Sequence, residues 1–509
     1  MIGSHLKQIG SSERGHAPLS QLTLLRDAIV VDVERGTSAP RHILISGRKI
    51  EALFDGEPPA IEGASTIDCS RFIVVPGFVN GHTHSQGGLA KALGDRLTLE
   101  HLLNAGSWFN HYRSHEDMYI SALLSAAEMV RAGCTTCYDL STEWPGPTPE
   151  GTAAVASAYA EIGMRAIIAP QLSDRTIYDL VNGLGDIPAG APRSPSDKAK
   201  PDTQGQLAAV EALLRGWSFG SRDIELAVSP TIPVLCSDEM MHGVRRLADE
   251  HGLRVHTHLC ESQVWANLGH RIYGKSTVAR LADYGLLSPR FTGAHAVWLT
   301  PSETKLLGEK GCFVAHNPAS NLRLGSGIAK VRRMMDAQVT VGLGTDACHC
   351  GDHLSMLEAT RMAAFVSRVQ DEEAPEWVSA AEALRMATAG SAKGLNLDHV
   401  IGRIAPGYAA DLVLLDSNHV SFVPLADAVR QVVLCADTSA IHTVLIGGRA
   451  VFSGGQFLTI DYAGLVAKAK AAFERLAKTQ RDRRDYFSAF DQRIIDACRP
   501  LKGDSARSH

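Results

Sequence analysis

The chain has 509 residues, more than one hydrophobic core usually serves, so a large domain with a smaller companion, or two to three domains, is expected. Hydrophobic residues make up 45% and charged residues 21%, which argues against a disordered, collagen-like or coiled-coil chain. Lys and Arg number 50 against 55 Asp and Glu, a net charge of -5, and with 6% aromatic residues this predicts neither a nucleic-acid surface nor a polybasic membrane surface.

The first twenty residues are polar and lack the apolar stretch of a signal peptide. No apolar run reaches the roughly 18–20 residues that span a bilayer, so a soluble cytoplasmic protein is expected. From Leu22 to Val75, LTLLRDAIVVDV, RHILISGRKIEALF and TIDCSRFIVV read as short strands separated by Gly, Pro and Ser. The same texture returns in ADLVLLD (Ala410 to Asp416) and in HTVLIGGRAVFSGG (His442 to Gly455), a hairpin turning at Gly447-Gly448. Residues 1–76 and 401–460 are therefore expected to form one split β-sandwich domain.

Between them, residues 77–400 alternate strand and helix. RFIVVPGFVNGHTH, CTTCYDL, RAIIAPQL, IELAVSPT, LRVHTHL, FTGAHAV, CFVAHN and VTVGLGTD read as strands, each ending on a polar residue. MYISALLSAAEMVRAG and DTQGQLAAVEALLRGW repeat apolar residues at three and four, as helices do. Eight such units in about 320 residues favour an α/β fold of the (β/α)8 TIM-barrel kind over an open doubly wound sheet. No G-x-G-x-x-G opens the first unit.

One stretch breaks the rhythm. LGDIPAGAPRSPSDKAKPDTQ, residues 184–204, holds four prolines and can be neither helix nor central strand. It reads as a surface insertion or a lid over the site. Residues 461–509 are expected to be a helical extension. Asp461 to Lys478 would place Leu465, Val466, Ala469, Phe473 and Leu476 on one side, as a packing or dimer element.

Ten cysteines in this length do not make a disulfide framework. Cys134 and Cys137 form a C-x-x-C on a strand, expected to be a buried structural pair on opposite faces or across a bend. GHRIYGKS (Gly269 to Ser276) fits the phosphate-loop expression, but a helix rather than a strand is expected before it, so nucleotide binding is not.

The histidines carry more. His82 and His84, in NGHTHS, are one residue apart at a strand end, so both face the same side. RVHTHLCES adds His256, His258 and Glu261, TGAHAV adds His295, and VGLGTDA adds Asp346, each at another strand end. In a barrel these ends converge on one mouth. His82, His84, His258 and Asp346 would then meet as three imidazoles and a carboxylate, a set suited to one divalent ion, Zn²⁺ or Fe²⁺.

At this point the chain resembles the amidohydrolase superfamily, in its cytosine-deaminase-like and triazine-hydrolase branch. The likeness rests on PGFVNGHTHS, AAEMVRAGCTTCYD, HTHLCES, AHNPASNLRLGSG, VGLGTD and GRIAPGYAADLVLLD, over residues 22 to 460. It implies that His82, His84, His258 and Asp346 ligate one metal and that Asp346 also takes a proton from water. Glu261 would carry that proton to the substrate, and His295 would hydrogen-bond the attacking water or the developing oxyanion. Such an ion lowers the pKa of its water toward ~7, and an amine leaves only when protonated. A homo-oligomer acting on a small molecule is expected.

Two departures concern the substrate. The Pro-His pair common after the fourth strand is here Pro230-Thr231, and the loop after Asp346, usually small and rich in Ser and Asn, is ACHCGDH. Cys348, His349 and Cys350 are expected to shape the pocket wall, with a second metal site as the alternative. Gln86, Trp108, His316 and Asn321 are candidate substrate contacts by position. H-x-E with P-C-x-x-C, the signature of the free-cytidine deaminases, is absent. The expected reaction is hydrolytic deamination of an amino-substituted N-heterocycle. The alternative is hydrolysis of an amide, an aryl-urea or an N-alkylaminotriazine, or triazine dechlorination, at the same centre.

Overall fold

A computed structural model describes residues 22–192, 202–220, 223–370 and 373–503. The start of the chain and residues 193–201 of the proline-rich insertion lie outside them.

Both chain ends build one nine-stranded sheet. β1 (Leu22–Asp32), β2 (Thr37–Ser46), β3 (Lys49–Phe54), β4 (Ala64–Asp68) and β5 (Phe72–Pro76) come from the first. β16 (Leu412–Asp416), β17 (Ile441–Ile446), β18 (Arg449–Ser453) and β19 (Gln456–Phe457) come from the second. The order is β19-β18-β17-β16-β5-β1-β2-β3, with β4 on β1, and β5 meets β16 antiparallel. Leu25, Ile43, Ile45, Val74 and Leu412 bury one apolar cluster within it.

The central segment is a (β/α)8 barrel. Its strands are β6 (Phe78–His84), β7 (Cys134–Ser141), β8 (Arg165–Leu172), β9 with β10 (Ile224–Leu226, Ser229–Pro230), β11 (Val255–Leu259), β12 (Phe291–His295), β13 (Phe313–His316) and β14 with β15 (Thr340–Leu343, Asp346–Ala347). All their mutual pairings are parallel. The bridge between Val228 and Val255 joins the fourth strand to the fifth, and β15 pairs with β6. Val79, Tyr138, Ile167, Ala227 and Phe313 fill the interior, while a larger apolar shell lies between strands and helices. Burial on both faces explains the continuous apolar runs.

The sequence expectation needs three adjustments. RFIVVPGFVNGHTH is two strands: β5 belongs to the small sheet, and the chain enters the barrel after Pro76 and Gly77, where a side chain would strike Thr135 at 2.2 Å. The fourth and eighth strands are each interrupted. Phe473 is 56% exposed, whereas Leu465, Ala469, Ala472 and Leu476 carry the packing of helix Tyr462–Thr479. Cys134 and Cys137 are both buried, and Cys134 lies at a register shift against β6. GHRIYGKS begins inside helix Gln263–Tyr273, so no strand precedes it.

The last helices, Arg481–Ser488 and Asp491–Cys498, fold back over the barrel mouth. Phe487, Ile494, Cys498 and Leu501 share one apolar cluster with Leu99, Ile177, Ile232, Trp265, Ala347 and Cys350. Polar bonds tie this arm to three mouth segments. Asn104 Nδ2 donates to Phe487 O and Asp491 Oδ1, Tyr486 Oη donates to Ile187 O, and Asn267 Nδ2 donates to Leu501 O. Among the described residues no helix is long and apolar enough to cross a membrane.

Candidate metal centre

The strand ends bring His82, His84, His258, His295, Glu261 and Asp346 to one buried point, with ligand atoms within 4.8 Å of one another in three overlapping groups. Alternation on β6 turns both of its histidines inward. The interruption before β15 turns Asp346 toward them, with φ of +58°, and His295 has φ of +70°. Such left-handed backbone is uncommon outside Gly and gathers at functional sites.

Hydrogen bonds fix which nitrogens face inward. His84 Nδ1 donates to Leu140 O at 2.7 Å, and His258 Nδ1 donates to Thr231 O at 2.6 Å. In each neutral ring the proton is thereby on Nδ1 and the lone pair on Nε2. These two Nε2 atoms are 3.1 Å apart. Two lone pairs facing at that distance repel, and a cation between them removes the repulsion. His84 Nε2 is 3.3 Å and His82 Nε2 3.6 Å from Asp346 Oδ1. Ligands about 2.0–2.1 Å from a tetrahedral ion stand about 3.3 Å from one another, so His82, His84 and Asp346 fit a single zinc-like ion, with His258 Nε2 at that spacing from His84. His82 Nε2 is buried and has no hydrogen-bond partner among the described residues.

Electrostatics agree with this fit. Burial holds His82 down to about 3 and His258 well below the ordinary histidine range, so both stay neutral and able to ligate. Burial alone would raise Asp346, but the imidazoles of His82, His84 and His295 around it hold it well below the usual carboxylate range. Ser320 Oγ donates to Asp346 Oδ2 at 2.6 Å, and Asn80 binds both N and Oγ1 of Thr345, the residue before it. Glu261 goes the other way: burial, then the negative charges of Asp346 and Glu100, raise it well above the carboxylate range. His295 Nε2 lies 3.6 Å from Glu261 and 3.9 Å from Asp346, while His295 Nδ1 pairs with Asn321 Oδ1 at 2.9 Å.

Around this point several buried polar atoms have no partner among the described residues: Gln86 Oε1, Asn321 Nδ2, His349 Nδ1 and both ring nitrogens of His316. Gln86 is otherwise held through its Nε2 on Thr142 Oγ1. Trp108 instead packs in an apolar group with Ala90, Ala105 and Phe109. The Phe109 ring lies 4.9 Å from His349. Cys348 Sγ turns away to Glu128, and among the described residues no metal-competent group includes Cys348, Cys350 or His349. The sequence reading assigned no role to Asn80, Ser320 or His256, although NGHTHS, NPASN and HTHLCES contain them.

The amidohydrolase family profile matches residues 73–451, most of the chain and all of the barrel. The chain belongs to the amidohydrolase family. Among its relatives is a 5-methylthioadenosine/S-adenosylhomocysteine deaminase of Syntrophomonas wolfei, 30% identical over 439 residues, covering 86% of this chain and 94% of the relative. A 5'-deoxyadenosine deaminase of Methanopyrus kandleri is 31% identical over 408 residues, 80% of this chain and 87% of the relative. Two solved structures are similar throughout. An adenosine deaminase of Xanthomonas campestris with bound zinc has a TM-score of 0.78 at 26% identity, covering 90% of this chain and 98% of that one. An atrazine chlorohydrolase of Arthrobacter aurescens TC1 complexed with zinc has 0.78 at 26%, covering 89% and 100%. As an amidohydrolase, the chain is a hydrolase acting on carbon–nitrogen bonds.

Proposed function

We propose that this amidohydrolase is a zinc-dependent deaminase that replaces the exocyclic amino group of an N-heterocycle by oxygen, releasing ammonia. Adenine nucleosides are the first class to test, because the relatives carry names of adenosine-type deaminases. The observation that carries the reading is the geometry of two carboxyl groups about one imidazole, with His295 Nε2 3.6 Å from Glu261 and 3.9 Å from Asp346, and with Asp346 pushed below and Glu261 above the ordinary carboxylate range.

His82, His84, His258 and Asp346 would hold the ion, which when bound supplies a water of lowered pKa and electrostatic stabilisation. Asp346 accepts the proton of the attacking water. His295 Nε2 hydrogen-bonds the incoming oxygen. Glu261 delivers a proton to the ring nitrogen next to the reacting carbon. The amino group leaves as ammonia once a second proton reaches it; Glu261 relays that proton from Asp346 and regains its own from the hydroxyl group as the carbonyl forms. Gln86, His316 and Asn321 offer the free hydrogen-bonding atoms that orient the ring.

Thr231 and the ACHCGDH loop support a second reading, hydrolysis of an amide, an aryl-urea or an N-alkylaminotriazine, or triazine dechlorination, by the same residues. The test is ammonia release by the zinc-loaded protein over aminopurine nucleosides, aminopyrimidines, pterins, aminotriazines, anilides and aryl-ureas. Glu261→Gln should keep its zinc and lose about 10²–10⁴-fold in turnover. Ammonia from one ring class, absent with Glu261→Gln, is the expected result. An alkylamine, an aniline or chloride instead would favour the second reading, and a fully active Glu261→Gln would remove the acid role.

A further inference from the structure

The inward histidines differ in what holds their outer nitrogens. His84 and His258 use backbone carbonyls. His82 Nδ1 instead lies 2.9 Å from Nε2 of His256, whose ring is fully buried and edge-on to His82, centroids 4.9 Å apart. The His256 ring in turn rests on the buried Tyr138 ring at 4.1 Å, and its backbone N–H is fixed on Val228 O. Packing thus leaves its Nε2 aimed at one atom.

We propose that His256 is a positioning residue that selects the metal-binding tautomer of His82 by accepting the Nδ1 proton on its own Nε2. The chemistry is restrictive. His82 can present a lone pair from Nε2 only if its proton sits on Nδ1, and that buried N–H finds its acceptor in His256; the proton of neutral His256 is then on its Nδ1, which has no partner among the described residues, a cost that ligation by His82 offsets. With the roles reversed, a proton on His256 Nε2 would place the His82 proton on Nε2, facing the centre, and remove that ligand. An imidazole nitrogen is also a stronger acceptor than an amide carbonyl, so it raises the donor strength of His82 toward the ion. The rotamers and ring packing of His256 and Tyr138, both inside the barrel, set which nitrogen meets His82. The inference rests on the metal reading of the centre.

The test compares two variants of nearly equal size, His256→Gln and His256→Met, of which only the first offers a strong acceptor. Zinc affinity is measured by competition with a chromophoric chelator, beside the native protein and His82→Ala. The melting temperature of each metal-free form is also taken. His256→Met should bind zinc about 10–100-fold more weakly, and His256→Gln should recover most of that loss although both variants melt alike. Equal affinities for the two variants, both folded, would overturn the proposal. If His256→Met does not fold, His256→Leu takes its place in the same comparison. Native protein that binds zinc no better than His82→Ala would overturn the metal centre itself, and the proposal with it.

Discussion

Adding one methyl group at Gly344 should disable the centre without touching a ligand. A Cβ there would stand 2.2 Å from Asn317 Oδ1, 2.8 Å from His82 O and 2.9 Å from His82 Cβ. Relieving the His82 contacts to ordinary van der Waals distance needs a shift of about half an ångström, whereas metal–ligand distances tolerate about 0.2 Å. The Asn317 clash adds overpacking of about 1–3 kcal/mol. In a chain of this length 1 kcal/mol moves the melting temperature by about 1 °C. Gly344→Ala should therefore melt about 1–3 °C lower and bind zinc at least about tenfold more weakly. Gly216→Ala is the matched control. It adds the same methyl group to the last turn of helix Thr203–Gly216, where nothing among the described residues lies within 4 Å. It should leave zinc binding unchanged and add up to about 1 kcal/mol of stability through the unfolded chain. Chelator competition and thermal melts read both. Gly344→Ala with native zinc affinity would refute the claim that Gly344 sets the place of His82.

Two further predictions follow from burial. Phe487→Ala removes a 2% exposed ring from the roof over the mouth, at a cost of about 3–5 kcal/mol and about 3–5 °C in melting, with zinc affinity unchanged; a shift below about 1 °C would deny the roof its packing role. Acid competes with a metal only once the ligand imidazoles take up protons, so pKa values lowered by burial move that competition to lower pH. Three ordinary imidazoles would give a slope of nearly 3 in log zinc affinity between pH 6 and 5, whereas with His82 and His258 neutral the slope should stay below about 1. A measured slope of 2 or more contradicts the burial argument.

How far the sequence exposes this site depends on the kind of interaction. The H-x-H pair of β6, the HTHLCES run and the GTD turn are legible because a strand end fixes which way alternate side chains face. The interruption between Leu343 and Asp346 was not legible, because it is the bond from Gly344 N to His316 O and the anchoring of Thr345 on Asn80 that bend the chain there. The tie of His256 to His82 is a contact across 174 positions, visible only once the barrel closes. The same holds for Phe473, whose helical period places it beside the apolar stripe although the stripe needs only four residues to dock. The raising of Glu261 comes first from its burial and then from Asp346, at another strand end, and Glu100, on helix Leu99–Phe109.

The arm that roofs the mouth also orders events in time. Asn104 meets Asp491 across 387 positions, and the apolar cluster that seats Ala347 and Cys350 is completed by residues among the last thirty of the chain. At a synthesis rate of 5–20 residues per second, roughly 20–80 s separate the emergence of the two partners. The barrel can close while the chain is still being made, but its mouth stays open until residues 481–501 have emerged and docked. A chain stopped before Phe487 would hold the metal ligands without the apolar cover that Phe487, Ile494, Cys498 and Leu501 supply.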